Sequence, residues 1–311
     1  MMNPQRTGDL YALACALVCG LGNIPAKVAL DRLPVEVYIF YFFLFGFIIT
    51  SFTLFKKSSR EEIFKINLKV LTLVAILAVF FMAALYLMMT ALKMIEPATV
   101  SFLSRFEVIV TVVLAYMILK ERLLFIEIIG GIIAVAGVFV LKYKTNLEIS
   151  NAATLMVLSS FFFAIAEIII KKNIKILGTI RFVFYRNFFM VFFVYIIMVI
   201  GGRTLFLPDK NTLFIILLAA LLLPVLGRAT YMEALKRINI SRAALITQST
   251  PLFTALFAFI ILATYPSPIE WLGGALIVAG VVVVKLSFQK EHVKGTDGAD
   301  YQQGDKPSDT D

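Results

Sequence analysis

Ten stretches, each close to the roughly 20 apolar residues that cross a hydrocarbon core, follow one another along this 311-residue chain. They fall near 9–30, 35–55, 69–92, 98–119 and 124–142, then near 152–171, 182–201, 212–235, 242–263 and 269–287. In lipid, every backbone N–H and C=O must be satisfied inside the protein, so apolar runs of this length are expected to be helices. The composition agrees. With 60% hydrophobic and 16% charged residues, the chain lacks the charged exterior of a soluble domain. The expected fold class is an all-α membrane protein of ten transmembrane helices. The polar stretch 289–311 is expected to be a disordered cytoplasmic tail.

A net charge of +9 suggests nucleic acid in a soluble protein, but here the basic residues sit in loops and at helix ends. Lys56, Lys57, Arg60, Lys65 and Lys69 follow the second run, and Lys171, Lys172, Lys175 and Arg181 follow the sixth. Lys236, Arg237 and Arg242 lie between the eighth and ninth. The alternate loops are poorer, with Arg32 after the first run, Lys93 after the third, Lys142 and Lys144 after the fifth, and Arg203 and Lys210 after the seventh. The positive-inside rule then puts both termini in the cytoplasm of a multi-pass inner (plasma) membrane protein, and no nucleic-acid partner is expected. The polar start, residues 1–9, runs straight into a full-length apolar run and is not read as a cleavable signal.

Cys15 and Cys19 lie one turn apart on one helix, where disulfide geometry is out of reach, so both are read as small packing residues. The single histidine, His292, lies in the tail. No Cys/His ligand set exists, so no metal and no cofactor is expected.

The chain also repeats itself. Ala91-Leu92-Lys93 recurs 143 positions later as Ala234-Leu235-Lys236. The same ungapped shift pairs Glu127 with Glu270, Gly130-Gly131 with Gly273-Gly274, Val135-Ala136-Gly137 with Val278-Ala279-Gly280, and Lys142 with Lys285. The halves are therefore placed at 1–145 and 146–288, five helices each. An odd number of spans makes the second copy enter the membrane upside down. Inverted repeats of this kind place a site near the midplane and support alternating access.

On these residues the chain resembles the EamA family of the drug/metabolite transporter superfamily over nearly its whole length. The carrying segments are Ala91-Leu-Lys-Met-Ile-Glu-Pro-Ala98 and Glu127-Ile-Ile-Gly-Gly-Ile-Ile-Ala-Val-Ala-Gly137. Their second copies are Ala234-Leu-Lys-Arg-Ile-Asn-Ile-Ser241 and Glu270-Trp-Leu-Gly-Gly-Ala-Leu-Ile-Val-Ala-Gly280, and Lys120-Glu121-Arg122 adds to the likeness. Two features depart from the family. Gly20-Leu-Gly-Asn23 replaces Trp-Gly in the first helix, and the fourth-helix Glu-Pro reads Glu107-Val108, its proline surviving only in Thr250-Pro251. The resemblance implies a cavity between the first, third, fourth, sixth, eighth and ninth helices. It also implies a small-molecule substrate.

Charge within a span costs about 2.5–3.5 kcal/mol on insertion scales, so each case needs a reason. Arg105 and Glu107 lie near the middle of the fourth run, and the repeat maps them onto Gln248 and Thr250. A cavity between the fourth and ninth helices satisfies all four; a structural ion pair is the plainer reading. Arg228 lies four residues past Pro224, whose missing N–H can distort the helix towards a cavity. Arginine suits bidentate capture of a carboxylate, while a salt bridge to Glu107 is its structural alternative. A shift of 144 pairs Asn23 with Glu167 and Lys27 with Lys171. For Glu167 an intrahelical pair with Lys171 is the favoured reading. Arg186, one turn into the seventh run, can snorkel. Tyr86, Tyr231 and Glu233 are weaker candidates. The paired glycines are read as packing residues that let helices approach closely.

The expected function is transport of a small metabolite by alternating access, with export the expected direction. An amino acid, another carboxylate or a drug-like amphiphile fits, and a proton is the candidate coupling ion. The rivals are a membrane-embedded enzyme acting on lipid-linked substrates and a non-transporting sensor or scaffold. The first needs a metal–carboxylate cluster or a nucleophile–base pair, and neither is present in the sequence, so no enzymatic activity is expected. The second needs a folded extramembrane domain.

Overall fold

Helix ends along the chain are set by local chemistry that the sequence supplies openly. Asn67 caps the helix Leu68–Met94 by accepting a hydrogen bond from the Lys69 N–H at 3.0 Å. That helix stops at Ile95, which is extended, and Pro97 opens the next. Asp209 caps another, accepting from the Thr212 N–H at 3.0 Å and its hydroxyl at 2.6 Å. Ser267 and Glu270 form a reciprocal capping box: the Ser267 N–H donates to Glu270 at 2.8 Å and the Glu270 N–H to Ser267 at 3.3 Å.

The computed structural model describes residues 4–55, 61, 63–64, 66–119, 125–143, 147–177, 179–235, 237–238, 246–264 and 266–283, all helix, turn or irregular, with no strand among them. The helices are α1 (Pro4–Arg32), α2 (Val35–Ser51), α3 (Leu68–Met94), α4 (Pro97–Ser104), α5 (Glu107–Leu119) and α6 (Phe125–Tyr143). The second half contributes α7 (Leu147–Leu177), α8 (Thr179–Ile200), α9 (Lys210–Ala220), α10 (Arg228–Leu235), α11 (Thr250–Phe257) and α12 (Pro268–Val283). Five described segments are long and apolar enough to cross a bilayer: Arg6–Arg32, Leu68–Met94, Glu148–Ile170, Arg181–Ile200 and Lys210–Gly227. Four shorter apolar helices accompany them. The expected tail at 289–311 and the Lys120-Glu121-Arg122 motif lie outside the described residues.

Three of the expected continuous helices are interrupted. The fourth breaks at Arg105-Phe106, between α4 and α5. The ninth breaks at Gln248-Ser249, just before α11, which itself ends in a π turn, Ala258–Leu262. The eighth passes through a π segment, Leu221–Gly227, around Pro224. A proline removes one ladder hydrogen bond and clashes with the preceding turn, which accounts for the eighth.

The two halves pack in corresponding ways. α1 lies against α9, α10 and α11, while α7 lies against α3, α4 and α5. α2 meets α8; α3 meets α8 as α9 meets α2; and α4 meets α11. At the α6–α12 crossing the match reaches single atoms. A Cβ on Gly137 would stand 2.6 Å from the Gly273 carbonyl oxygen, and one on Gly280 would overlap the Gly130 carbonyl. These glycines hold two backbones in contact, the packing role expected of them. The cysteines pack as expected too. The Cys15 thiol donates to the Gly227 carbonyl at 3.3 Å, and Cys19 fills the space a Gly227 side chain would take.

Candidate functional site

The breaks at Arg105-Phe106 and Gln248-Ser249 share one hydrogen-bond pattern. Phe106 N bonds Leu103 O at 3.0 Å, as Ser249 N bonds Ile246 O at 3.1 Å. Ile109 N and Val110 N both reach Phe106 O, at 3.0 and 3.2 Å; Leu252 N and Phe253 N both reach Ser249 O, at 3.0 and 3.3 Å. Each break therefore tightens one turn to i−3 bonding and restarts the helix. In the second half Pro251 suits the restart, since it sits in the first turn of α11. In the first half Val108 stands in its place.

Beside the first break lies a cavity of about 290 Å³ between α3, α5 and α7, lined by Met88, Ser104, Arg105, Glu107, Ser159 and Ser160 among others. The hydroxyls of Ser159 and Ser160 donate to the carbonyls of Ala84 and Met156, both at 2.8 Å, so any further bond they make would be as acceptors. Among the described residues the one hydrogen bond of the Arg105 guanidinium is a long one, from Nε to the Ser101 carbonyl at 3.4 Å. The residue as a whole lines the cavity wall. Glu107 opens α5, where a negative charge is favoured by the helix dipole, and lies within electrostatic range of Arg105. A cavity wall that presents an arginine fork, a carboxylate and hydroxyl acceptors can hold a small polar molecule, with the fork best matched to a carboxylate or phosphate.

On the other side of α4, a chain of hydroxyl and amide groups joins three helices. Asn23 on α1 donates to Thr254 on α11 at 3.2 Å, and Thr254 reaches Ser101 on α4 at 3.3 Å. Gln248 is buried at the second break, at the position matching Arg105. Of the sequence candidates, then, Arg105 and Glu107 share one cavity, while Asn23 and Gln248 flank the break on the opposite half. Tyr231 instead packs with Ala12, Ala234 and Ile238 where α1 meets α10. Arg228 begins α10 directly after the π segment, and Glu167 lies within α7; the side chains of both lie outside the described residues.

Several functional-looking groups were hidden from sequence reasoning. Glu36 is buried, its carboxylate accepting the Tyr86 hydroxyl at 2.8 Å. It sits at the edge of an apolar run and so reads as a surface residue. Glu270, known from the sequence only as a repeat marker, is buried in its capping box and takes the Thr99 hydroxyl at 2.6 Å. Arg186 does not simply snorkel: its guanidinium lies 5.7 and 5.8 Å from the ring centres of Phe81 and Phe182, a cation–π arrangement.

An all-helical bundle of long apolar segments, with an arginine–carboxylate cavity at a broken helix, defines a multi-pass membrane protein. The chain belongs to the EamA-like transporter family, whose model matches twice, over residues 6–143 and 150–286. It is 24% identical over 209 residues to an uncharacterized transporter of Synechocystis, a match covering 63% of this chain and 60% of that protein. It is also 24% identical over 301 residues to an uncharacterized transporter of Clostridium kluyveri, covering 92% and 95%. A solved crystal structure of 14% sequence identity superposes with a TM-score of 0.64 over 92% of this chain and 98% of its own, a likeness of fold.

Proposed function

We propose that this protein moves a small metabolite bearing a carboxylate across the inner (plasma) membrane by alternating access, with export its working direction. The observation that carries this reading is the pair of matched breaks with the Arg105–Glu107 cavity beside one of them. Discontinuous helices that line a cavity at the interface of two repeats are the usual setting for a transport site. Ten spans, arranged as inverted repeats over 1–145 and 146–288 with both termini cytoplasmic, are part of the proposal. The corresponding contacts of α1 and α7 and the doubly matched α6–α12 crossing support it. In this scheme Arg105 receives the substrate carboxylate, Glu107 sets the local field and is the candidate proton carrier, Asn23 and Gln248 lie on the path between the halves, and Arg228 and Glu167 are further candidates for substrate contact. Both relatives carry the name of transporter, which favours this over the enzyme and the scaffold.

The test is transport in reconstituted vesicles against a panel of metabolites, measured in both directions with and without a pH gradient. Saturable movement of one or more carboxylates is expected; a panel that crosses no faster than in empty vesicles would contradict the reading. Reporter fusions after Lys65, Lys144, Lys175 and Lys210 should report inside, outside, inside and outside. Any other alternation removes the inverted arrangement.

A further inference from the structure

Helix α1 is tied to its neighbours at both ends, by different chemistry at each. At its C-terminal end the tie is reciprocal. The Lys27 ammonium donates to the Lys93 carbonyl, in the last turn of α3, at 2.9 Å, and the Lys93 ammonium donates to the Leu33 carbonyl, just past α1, at 2.8 Å. The last carbonyls of a helix have no donor within it, so each lysine closes the end of the other's helix. Asp31, one turn on from Lys27, pairs with it at 3.0 Å and offsets the repulsion between the two ammonium groups.

At its N-terminal end α1 meets α10 and the turn that follows. A Cβ on Gly8 would stand 2.6 Å from the Ile238 side chain, so the two segments touch closely. The Arg237 guanidinium lies 4.8 Å from the centre of the Tyr11 ring, and Glu233 pairs with it from one turn back. Ala12, Ala234 and Ile238 are buried beneath this contact.

The region between the two ties is the one described around Arg105. Lys27 comes one turn after Asn23, which bonds Thr254 of the other half. Lys93 comes five residues after Met88, a wall residue of the Arg105 cavity, or about 7.5 Å further along the axis. Cys19, one turn before Asn23, fills the space beside Gly227, lies within electrostatic range of Arg105 and is partly exposed. Neither tie is a packed apolar interface. Lys93 and Arg237 are exposed, and contacts of this kind open at lower cost than a core does.

We propose that the two ties are the alternating latches of α1: the Lys27–Lys93 clasp closes the outer face, the Tyr11–Arg237 contact closes the inner face, and one opens while the other holds. Both are closed in this structure. The proposal rests on the alternating-access reading, but its test measures access to a thiol and not flux, so the two can fail separately.

The test uses the full chain with Cys15→Ala, which leaves Cys19 as its one thiol, in right-side-out and inside-out membrane vesicles. The probe is methanethiosulfonate ethylsulfonate, which does not cross the membrane. Lys27→Met combined with Lys93→Met should speed Cys19 labelling from the outer face about tenfold, the change that follows from losing roughly one hydrogen bond, and leave the inner-face rate unchanged. Tyr11→Ala should do the converse, by about threefold, since an exposed cation–π contact is the weaker tie. Lys93→Met alone should act on the outer face to a smaller extent, and keeps the test open if the double variant fails to fold. Labelling that rises equally from both faces would mean a loosened bundle and overturns the latches. So does a rise from the same face for both variants, or no rise for either. Effects on opposite faces with the sides exchanged would uphold the latches and overturn the membrane orientation instead.

Discussion

The two broken helices reach one geometry by different chemistry. In the first half the turn is Arg105-Phe106, followed by Glu107-Val108; in the second it is Gln248-Ser249, followed by Thr250-Pro251. Both use the same i−3 bonds at the same relative positions. Proline therefore cannot be the common cause. Both breaks lie where α4 packs against α11 with α1 and α7 beside them, and the proline suits the second one. The chemistry, by contrast, is not shared. The first break carries two opposite charges beside a cavity, while the second carries a buried amide and hydroxyls.

The correspondence is broken most severely at the α6–α12 crossing. Leucine at Gly280 or at Gly137 must push two backbones apart, so each should cost at least about 1–3 kcal/mol and lower the unfolding temperature and membrane yield to a similar degree. A large loss at one position and none at the other would show that the match is not structural. The contrast in charge is sharpened by Glu107→Gln and Gln248→Ala. The first should reduce pH-gradient-driven transport about tenfold or more with normal expression, while the second should change it by only about threefold. Equal effects would remove the division of labour between the halves.

Smaller still is the effect expected of Pro251→Ala. Because Val108 supports the same break without proline, stability should stay within about 1 kcal/mol of the wild type. A collapse of stability would mean that proline makes the second break after all. The smallest effect concerns the caps, which differ between the halves. Hydrogen bonds from the Thr212 hydroxyl and then its N–H hold the Asp209 carboxyl below its ordinary range, with Arg32 adding a lesser pull. A carboxylate depressed in the folded state stabilises above its unfolded value, and that contribution is lost as pH falls through the folded one. Asp209→Ala should therefore flatten a shallow acid-side decline in unfolding temperature below about pH 4, leaving neutral-pH transport intact.

Much of this was readable in the sequence. Apolar length gave an all-helical fold, the paired glycines were legible as close-packing residues though not which helices they join, and Pro224 pointed to the distorted eighth helix that became a π segment. The first break was not readable, because Arg105-Phe106-Glu107-Val108 contains neither proline nor glycine to mark the turn. Glu36 escaped notice for a related reason. Its hydrogen-bond partner is Tyr86, fifty positions away, which nothing in the local sequence around Glu36 indicates. Arg186 looked like a snorkelling residue until Phe81, from a different helix, was placed beside it.

The central claim is that Arg105 meets a substrate carboxylate in the cavity beside the first break. The direct measurement is vesicle transport by wild type and Arg105→Gln, using one carboxylate substrate and its amide analogue. Loss of one charge-assisted contact corresponds to about 1.5–3 kcal/mol, so carboxylate transport should fall about 10- to 100-fold while the amide changes little. Equal losses for both compounds would contradict the claim and leave Arg105 a structural residue of the break.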